Sequence, residues 1–313
     1  MTPDVSIVVP CYDSAKKLGP VLGAFRSLPE NVEIIFIDDG STDATPELLA
    51  GFPLFRQPNQ GPGVALNNGI ARAAGLYIWI VASDDRPLLE PVLARLPAIL
   101  SANPDAAFFQ LLHEGERMGS RWSPDADMCD RFHAYSSSPS MLLNREFLNR
   151  NAIRFSDSYS CEDNFFMLQV SELQKSCLAF DDVIYEVVGA PDSIMRGPFN
   201  ARYITRWRAV GDMLAFARSH PRKGLERLEK ELVRFSLGAT WTYYVAHGRT
   251  LELLRLLPAL LAQLERWGLD GHLDAFLGSG SLPNRLCRRA ALFGARLSRR
   301  RAGGHAADPG LPQ

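Results

Sequence analysis

Residues 5–9 read Val5-Ser6-Ile7-Val8-Val9, a short apolar run rich in β-branched side chains that Pro10 stops. A second such run covers residues 32–37 and ends abruptly in Asp38-Asp39-Gly40-Ser41. A continuous apolar run of this length is typical of a strand that is buried on both faces. The two runs therefore predict two interior strands, each followed at once by polar residues.

Strands and helices continue to alternate after these two runs. Residues 54–56 predict a further strand, residues 63–74 a helix that Gly75 would close, and residues 77–82 a strand that ends in Ser83-Asp84-Asp85. Alternation of this kind over about a hundred residues indicates an α/β fold with a mostly parallel sheet flanked by helices. Ligands of such folds bind at the carboxyl ends of the strands, which is where we expect the functional residues.

The pattern changes near residue 198, beyond which it indicates helices only. We place an α/β domain at residues 1–198, a helical C-terminal extension at residues 199–302 and a disordered tail at residues 303–313. Within the α/β part, residues 115–140 are polar and irregular, which is typical of a long functional loop.

The composition is that of a globular protein. The chain has 313 residues, of which 46% are hydrophobic, so it can bury a full core. Its 34 basic and 35 acidic residues leave no overall charge bias, which argues against a general nucleic-acid binder. The five cysteines are odd in number and widely scattered, so neither a disulfide framework nor a cysteine zinc site is indicated.

The sequence contains no segment that predicts export or a membrane span. Residues 1–6 lack the basic region and long apolar run of a signal peptide, so we expect a cytoplasmic protein. The most apolar stretch, residues 251–264, is interrupted by Glu252, Arg255 and Pro258, and it is shorter than the roughly 20 residues that span a bilayer.

Five acidic residues lie just after predicted strands: Asp13, Asp38, Asp39, Asp84 and Asp85. Carboxylates gathered at one edge of a sheet repel one another unless a cation and the hydrogen-bond donors of a ligand are bound there. Mg²⁺ or Mn²⁺ binds carboxylate oxygens and shares its remaining positions with phosphates, so a nucleoside diphosphate suits this edge. The alternative is that these residues only form turns and cap helices, their commonest role in any single loop.

Several motifs resemble one family in both order and spacing. They read Val5-Ser6-Ile7-Val8-Val9-Pro10-Cys11-Tyr12-Asp13, Ile37-Asp38-Asp39-Gly40-Ser41-Thr42-Asp43, Asn59-Gln60-Gly61-Pro62-Gly63, Asn67-Asn68-Gly69-Ile70, Ala74-Gly75-Leu76-Tyr77-Ile78, Asn151-Ala152-Ile153-Arg154-Phe155 and Cys161-Glu162-Asp163-Asn164-Phe165-Phe166. Over residues 5–90 and 140–168 the chain closely resembles the family 2 inverting glycosyltransferases. The resemblance implies a GT-A fold and transfer of a sugar from a nucleotide donor to an acceptor hydroxyl, with inversion.

The resemblance also implies roles for the residues at the strand ends. The residues implied for donor binding are Pro10, Tyr12, Asp13, Asp38, Asp39, Asn67, Ser83 and Asp85. Of these, the first three would line the nucleoside pocket, and the two consecutive aspartates would contact the base and ribose. Asp84 would bind the divalent cation, Mn²⁺ or Mg²⁺. Uridine is the favoured base because a carboxylate accepts hydrogen bonds from a uracil N–H or a ribose hydroxyl.

Two positions depart from the family's pattern. The acidic metal motif usually reads Asp-x-Asp but is Ala82-Ser83-Asp84 here, so one carboxylate is missing and Asp85 would support the metal ligand. Leu66 stands where many relatives have an arginine that meets the donor, and Arg72 or Arg196 would have to replace it. These departures keep open the alternative of a sugar-nucleotide-binding protein that has lost turnover. A nucleotidylyltransferase is disfavoured because no basic Gly-rich loop follows the first strand.

The turn Gly61-Pro62-Gly63 opens the helix predicted at residues 63–74. Bare amides at a helix N-terminus favour anions, so the turn could cradle a phosphate. We favour the alternative that it is a tight turn that lets the helix approach the sheet closely.

Glu162 and Asp163 are the candidates for the catalytic base. The resemblance places the family's acidic pair here, with Asp163 taking the proton of the acceptor hydroxyl and Glu162 orienting the substrate or Asp163. Both residues begin a predicted helix, whose N-terminal dipole would lower their pKa, whereas desolvation in a closed site would raise it. Which effect is larger stays open, as does the alternative that the pair only caps the helix.

The resemblance further implies the reaction partners. The donor would be a nucleotide sugar, with UDP favoured, and the acceptor a saccharide or lipid-linked molecule in the synthesis of cell-surface polysaccharide or glycoconjugate. Seven arginines between Arg285 and Arg301 surround apolar side chains, so this segment could form an amphipathic helix on an anionic membrane surface. The alternative is a solvated basic helix.

Overall fold

The computed structural model describes residues 2–119, 125–134, 138–188 and 200–277, together with residues 288, 289, 291, 292 and 295. The strands are β1 (Val5–Cys11), β2 (Val32–Asp38), β3 (Leu54–Arg56), β4 (Tyr77–Ile80), β5 (Arg86–Pro87), β6 (Ala106–His113), β7 (Glu116–Gly119), β8 (Met141–Asn144) and β9 (Cys177–Val187). The α-helices are α1 (Gly19–Ala24), α2 (Thr45–Leu48), α3 (Pro62–Arg72), α4 (Leu89–Ala102), α5 (Met128–Ala134), α6 (Arg145–Arg150), α7 (Glu162–Leu173), α8 (Arg206–Ser219), α9 (Leu225–Ala246), α10 (Thr250–Arg266) and α11 (Leu273–Leu277). Short 3₁₀ helices cover Ser138–Ser140, Ala201–Thr205 and Asp270–His272.

The described strands form one sheet in the order β3-β2-β1-β4-β8-β6-β9-β5, with β7 paired to β6. Strands β1, β2, β3, β4, β6 and β9 run in one direction, and β5, β7 and β8 run in the other. The predicted α/β fold with a mostly parallel sheet is confirmed. Cys11 lies opposite Asp38, and Asp38 lies opposite Arg56, so the carboxyl ends of the first three strands are side by side.

Helices cover both faces of the sheet because alternate side chains of an interior strand point to opposite sides. Val5, Ile7 and Val9 of β1 belong to a core shared with α1 and α4, whereas Val8 belongs to a core shared with α3, α6 and α7. All four side chains are fully buried. The apolar character of residues 5–9, in which Ser6 is the one polar residue, follows from this double burial.

The C-terminal helices form a third core that is continuous with the α/β part. Trp207 of α8 and Leu232 of α9 belong to the same buried cluster as Phe165 and Leu168 of α7. Phe166 and Met167, the two residues between them, belong to the core against the sheet instead. One helix therefore contributes to two cores. The boundary predicted near residue 198 falls in residues 189–199, outside the described residues, and stays a prediction.

Two local predictions are wrong. Helix α3 ends at Arg72, and Gly75 does not cap it but donates its N–H to the Ser6 hydroxyl at 2.7 Å. A Cβ on Gly75 would lie 2.6 Å from the Ser6 nitrogen, so glycine is needed for the close approach to β1. Residues 115–140, predicted to be irregular, contain β7 and α5.

Two observations concern the predicted membrane contact. None of the described helices combines the length and the apolar character that crossing a bilayer requires. In the basic segment at residues 285–301, Arg288, Leu292 and Ala295 are buried, and the Arg288 Nη1 donates to the Phe276 carbonyl oxygen at 3.1 Å. These side chains face protein. Contact of this segment with a membrane stays a prediction, and residues 303–313 lie outside the described part of the chain.

Candidate active site

The Asp38 carboxylate is fully buried at the end of β2, where groups of the protein hold it. Its Oδ1 accepts a hydrogen bond from the Ser41 N–H at 2.9 Å, and its Oδ2 accepts one from the Arg56 Nε at 2.6 Å. Asp38 thus shapes the loop after β2 and ties that loop to β3. The donor contact predicted for it stays a prediction.

Asp39 holds the loop that leads into α3. Its Oδ1 accepts hydrogen bonds from the Gln57 Nε2 at 2.8 Å and the Gln60 N–H at 2.9 Å, and its Oδ2 accepts one from the Gly61 N–H at 2.8 Å. Burial raises the pKa of Asp39, and these hydrogen bonds and the Arg202 charge oppose the rise. Because Oδ2 has a single donor among the described residues, it has a lone pair for a ligand N–H or hydroxyl.

The turn after β1 presents an exposed aromatic ring beside a carboxylate. Tyr12 is 46% exposed and Pro10 is partly buried, although residues 5–9 of β1 are buried. Asp13 has a φ of 44°, and its Oδ1 accepts a hydrogen bond from the Thr42 N–H at 2.7 Å. Its own N–H donates to the Ser41 Oγ at 2.9 Å. These contacts join the two strand-end loops and leave the Tyr12 ring available for stacking on a base.

The turn after β4 carries a carboxylate that has no partner among the residues that the structure describes. The Ser83 Oγ lies 3.0 Å from the Ser14 Oγ, which ties this turn to the turn after β1. Within the described part of the chain, the half-buried Asp84 carboxylate has no hydrogen bond or ion pair. Burial raises the pKa of Cys11 and of Tyr185, and the nearby Asp84 charge raises both further. Asp84 is therefore close to the ends of both β1 and β9.

The Asp84 carboxylate could bind a divalent cation that has few protein ligands. No group of three or more His, Cys, Asp or Glu side chains is arranged to hold an ion in the described ranges. In nucleotide sites, Mg²⁺ is commonly bound by one or two carboxylates together with substrate phosphates and water. The Asp84 carboxylate, which no described residue binds, meets that requirement.

Asp85 takes part in a hydrogen-bond network. Its Oδ2 accepts a hydrogen bond from the Tyr185 hydroxyl at 2.8 Å, and its Oδ1 accepts one from the Val188 N–H at 2.9 Å. The same hydroxyl accepts a hydrogen bond from the Ala82 N–H at 3.0 Å. Tyr185 thus binds the backbone at the position where the Asp-x-Asp motif has its first carboxylate. The network holds the turn at residues 82–85 against β9, and the donor contact predicted for Asp85 stays a prediction.

Glu162 and Asp163 begin α7, directly after Cys161, whose φ is 69°. The Ser138 Oγ donates to the Asp163 Oδ1 at 3.2 Å. Burial raises the pKa of both carboxyls, and the Asp163 charge adds to the rise at Glu162, to about 8. The net shift is upward for both carboxyls, the direction that we expected from desolvation. With a pKa of about 8, Glu162 holds a proton at neutral pH, as expected of one of two adjacent carboxyls that repel each other when both are charged.

Glycines let α3 approach Glu162 closely. Gly61 precedes the helix with a φ of 97°, and a Cβ on Gly63 would lie 2.0 Å from the Ser156 carbonyl oxygen and 3.2 Å from the Glu162 Cβ. The glycine thus allows close contact with the chain before α7 and with α7 itself, not with the sheet, so the packing on the sheet that we favoured for this turn stays a prediction. The turn also brings the loop held by Asp39 next to the carboxyl pair.

Asn67 of α3 clamps the chain before α7. Its Nδ2 donates to the Phe155 carbonyl oxygen at 3.0 Å, and its Oδ1 accepts a hydrogen bond from the Phe155 N–H at 2.9 Å. The structure thus gives the amide a positioning role, and the donor contact predicted for Asn67 stays a prediction.

Comparison with known proteins identifies the family. The model of the family described as "Glycosyl transferase family 2" matches residues 6–171, more than half of the chain. The chain belongs to glycosyl transferase family 2.

Curated relatives of this family 2 member include proteins of polysaccharide synthesis. Succinoglycan biosynthesis protein ExoO of Rhizobium meliloti is 39% identical over 90 residues, which cover 26% of this chain and 26% of that protein. Poly(ribitol-phosphate) beta-glucosyltransferase of Bacillus spizizenii is 29% identical over 182 residues, which cover 52% of this chain and 29% of that protein. The match thus spans less than a third of the length of either relative.

Solved structures share the fold over nearly the whole chain. S. aureus TarS 1-349 superposes with a TM-score of 0.64 and 18% identity, covering 96% of this chain and 91% of that one. The same TarS fragment has been solved with UDP and with UDP-GlcNAc. Mannosyltransferase PcManGT from Pyrobaculum calidifontis, solved with GDP-Man and Mn²⁺, superposes with a TM-score of 0.51 and 17% identity, covering 88% of this chain and 86% of that one. At these identities the likeness shows the fold alone.

The family 2 arginine that is missing at Leu66 has no replacement in Arg72. Leu66 is buried in the core beneath the sheet. Arg72 donates to the Asn68 carbonyl oxygen at 2.8 Å and stacks on Phe55, 5.0 Å from the ring centroid, at the far end of α3. Arg196 lies outside the described residues.

Arg202 is the residue that sequence reasoning missed. It lies beyond the region that the family 2 model matches, yet its Nη1 donates to the Asn59 Oδ1 at 2.5 Å. Asn59 belongs to the loop that Asp39 holds. No motif includes Arg202, so the sequence carried no signal for it.

Proposed function

We propose that this family 2 member is an inverting glycosyltransferase that moves a sugar from a UDP-sugar to a hydroxyl of a saccharide or lipid-linked acceptor in cell-surface polysaccharide or glycoconjugate synthesis. One observation carries the proposal. Two groups lie beside the two strand-end loops that the motifs assign to the nucleotide: the half-buried Asp84 carboxylate, which has no partner among the described residues, and the carboxyl pair Glu162 and Asp163, whose pKa values are raised. The named relatives and the UDP-bound neighbours support the same reading.

On the donor side, the turn after β1 and the loop held by Asp39 receive the nucleoside. Tyr12 supplies an exposed ring for stacking, and the Asp39 Oδ2 supplies an acceptor. Asp38 and Asn67 act indirectly, since their polar atoms hold the loop after β2 and the chain before α7. Ser83 keeps the turn after β4 in register with the turn after β1.

Asp84 would bind a divalent cation together with the donor diphosphate. The cation would neutralise the charge that develops on the diphosphate as the sugar departs. The residue's own part is to offer a carboxylate whose position is fixed by the Asp85 and Tyr185 network beside it.

Asp163 takes the proton of the acceptor hydroxyl as that oxygen attacks the anomeric carbon and the bond to the diphosphate breaks. Because Ser138 donates to Oδ1, the Oδ2 atom is the one left to receive the proton. A pKa raised by burial brings this carboxylate nearer to neutral pH, where a general base is most effective. Glu162, with a pKa of about 8, already holds a proton at neutral pH and so leaves Asp163 as the better acceptor of the pair.

The proposal is tested with a panel of nucleotide sugars, by calorimetric binding and by slow donor hydrolysis, with and without Mn²⁺. We expect Asp84→Ala to lose the metal-dependent part of donor binding. We expect Asp163→Asn to bind the donor normally while turnover falls about 10²- to 10⁴-fold, the usual contribution of a general base. Asp182→Asn is the matched control, because Asp182 pairs with Arg95 at the surface.

Two outcomes would contradict the proposal. If neither Asp84→Ala nor Asp163→Asn changes binding or hydrolysis, these residues are not the site. If the wild-type chain binds nucleotide sugars but never turns them over with any acceptor, the chain is a sugar-nucleotide-binding protein instead.

A further inference from the structure

Arg202 reaches the loop of Asp39 from the C-terminal helical part of the chain. It lies in the 3₁₀ helix Ala201–Thr205 and stacks on Tyr159, with its guanidinium 4.8 Å from the ring centroid. Its Nη1 bonds Asn59, and among the described residues it forms no ion pair with a carboxylate. Most of its N–H groups are therefore available to a ligand.

Gly61 places Arg202 beside Asp39. The Asp39 Oδ2 accepts the Gly61 N–H at 2.8 Å, and the Arg202 Nη2 would lie 3.5 Å from a Cβ on Gly61. The Arg202 charge opposes the rise that burial causes in the pKa of Asp39. Burial raises the pKa of Tyr159, the residue on which Arg202 stacks, and the nearby Tyr12 adds to that rise. A carboxylate acceptor and a guanidinium donor are thus neighbours beside the exposed ring of Tyr12.

We propose that Asp39 and Arg202 together read the base of the nucleotide, and that Arg202 makes the site select uracil over cytosine. This inference rests on the proposed function. Uracil carries an N3–H between two carbonyl oxygens, so a carboxylate can accept from the N–H while an adjacent guanidinium donates to a carbonyl. Cytosine has an unprotonated N3 beside an amino group, so the same pair would set acceptor against acceptor and donor against donor.

The test is calorimetric binding of UDP and CDP to the full chain. The two ligands share ribose and diphosphate, so the ratio of their affinities isolates the base. We expect the wild type to prefer UDP at least about tenfold. Arg202→Ala should weaken UDP binding roughly ten- to hundredfold and leave CDP binding nearly unchanged, since this is the range for losing a hydrogen bond to a charged group. Arg202→Lys, which keeps the charge and one donor, should fall between the two.

Two control variants separate base reading from other effects. Arg208→Ala removes an exposed arginine six positions further along, which bonds the Asp157 carbonyl oxygen at 3.3 Å, and should match the wild type. Asn59→Ala removes the contact of Arg202 with the loop but keeps the guanidinium, so the UDP to CDP ratio should be retained.

Two results would overturn the inference. An equal loss of UDP and CDP affinity in Arg202→Ala would mean that the arginine acts on the phosphates or on the loop. A ratio lost to the same extent in Asn59→Ala would mean that loop order, not the guanidinium, selects the base. If the wild type binds neither nucleotide, the proposed function fails. If it binds UDP and Arg202→Ala keeps the ratio, only this inference fails.

Discussion

At the scale of single residues, the carboxyl pair at the start of α7 makes the stability of the fold depend on pH. Burial and the neighbouring Asp163 charge raise the pKa of Glu162 from 4.5 to about 8. The folded chain therefore binds this proton more strongly than the unfolded chain does. The resulting stabilisation is fully present below pH 4.5 and is lost as the pH rises through about 8.

Glu162→Gln should remove this pH dependence. The amide cannot ionise, so the variant should melt at a higher temperature than the wild type at pH 8 to 9 and should differ less at pH 5, which melting curves across that range would measure. Asp182→Asn is the control, because the pKa of Asp182 is shifted in the opposite direction. The Arg95 hydrogen bond lowers the pKa of Asp182 below 3.8, so its stabilising contribution is constant between pH 5 and 9. An unchanged slope of melting temperature against pH in Glu162→Gln would contradict the raised pKa.

At the scale of elements, α3 connects the loop held by Asp39 to the carboxyl pair on α7. The helix is held by Asn67, which bonds Phe155 twice, and it begins at glycines that allow close contact. The N-terminus of α3 therefore determines how far the loop held by Asp39 lies from Glu162.

Gly63→Ala should displace this end of α3. The added Cβ would lie 2.0 Å from the Ser156 backbone oxygen, so we expect a loss of about 1–3 kcal/mol in the free energy of unfolding and weaker UDP binding. Chemical denaturation and calorimetry measure the two effects. Gly23→Ala in α1, with open space around the added Cβ, is the control and should be neutral or slightly stabilising. Equal behaviour of the two variants would show that α3 accommodates the Cβ.

At the scale of the whole molecule, α7 joins the sheet to the C-terminal helices. Phe166 packs towards the sheet, whereas Phe165 and Leu168 pack with Trp207. Arg202 adds a hydrogen bond from the helical part to Asn59, in the loop held by Asp39. The helical part is thus expected to unfold together with the α/β part.

Calorimetry should show one thermal transition for the full chain. Trp207→Ala removes a fully buried side chain. We expect it to lower the free energy of unfolding by roughly 3–5 kcal/mol and therefore the temperature of that single transition. Its exposed neighbour Arg208, replaced by Ala, should leave the melting temperature nearly unchanged. Two separate transitions, of which Trp207→Ala moves one, would instead indicate independent domains divided near residue 198.

The sequence by itself determined the fold class and predicted a region for the site. An interior parallel strand needs apolar side chains on both faces, so the runs at residues 5–9 and 32–37 are readable without any structure. The acidic residues follow because each strand ends at the ligand-binding edge. The motif at residues 161–166 marked the carboxyl pair, but its protonation depends on burial, which no local pattern encodes.

Only the tertiary structure decided which carboxylates are engaged by other described residues and which is not. Asp85 is bonded by Tyr185, 100 residues away, while Asp84 beside it has no partner in the described part of the chain. Arg202 meets Asn59 across 143 residues. Hydrogen bonds between residues so far apart form only when folding brings their elements together. For that reason the motifs could predict a donor site, while the contacts of Asp85, Asn67 and Arg202 had to come from the folded chain.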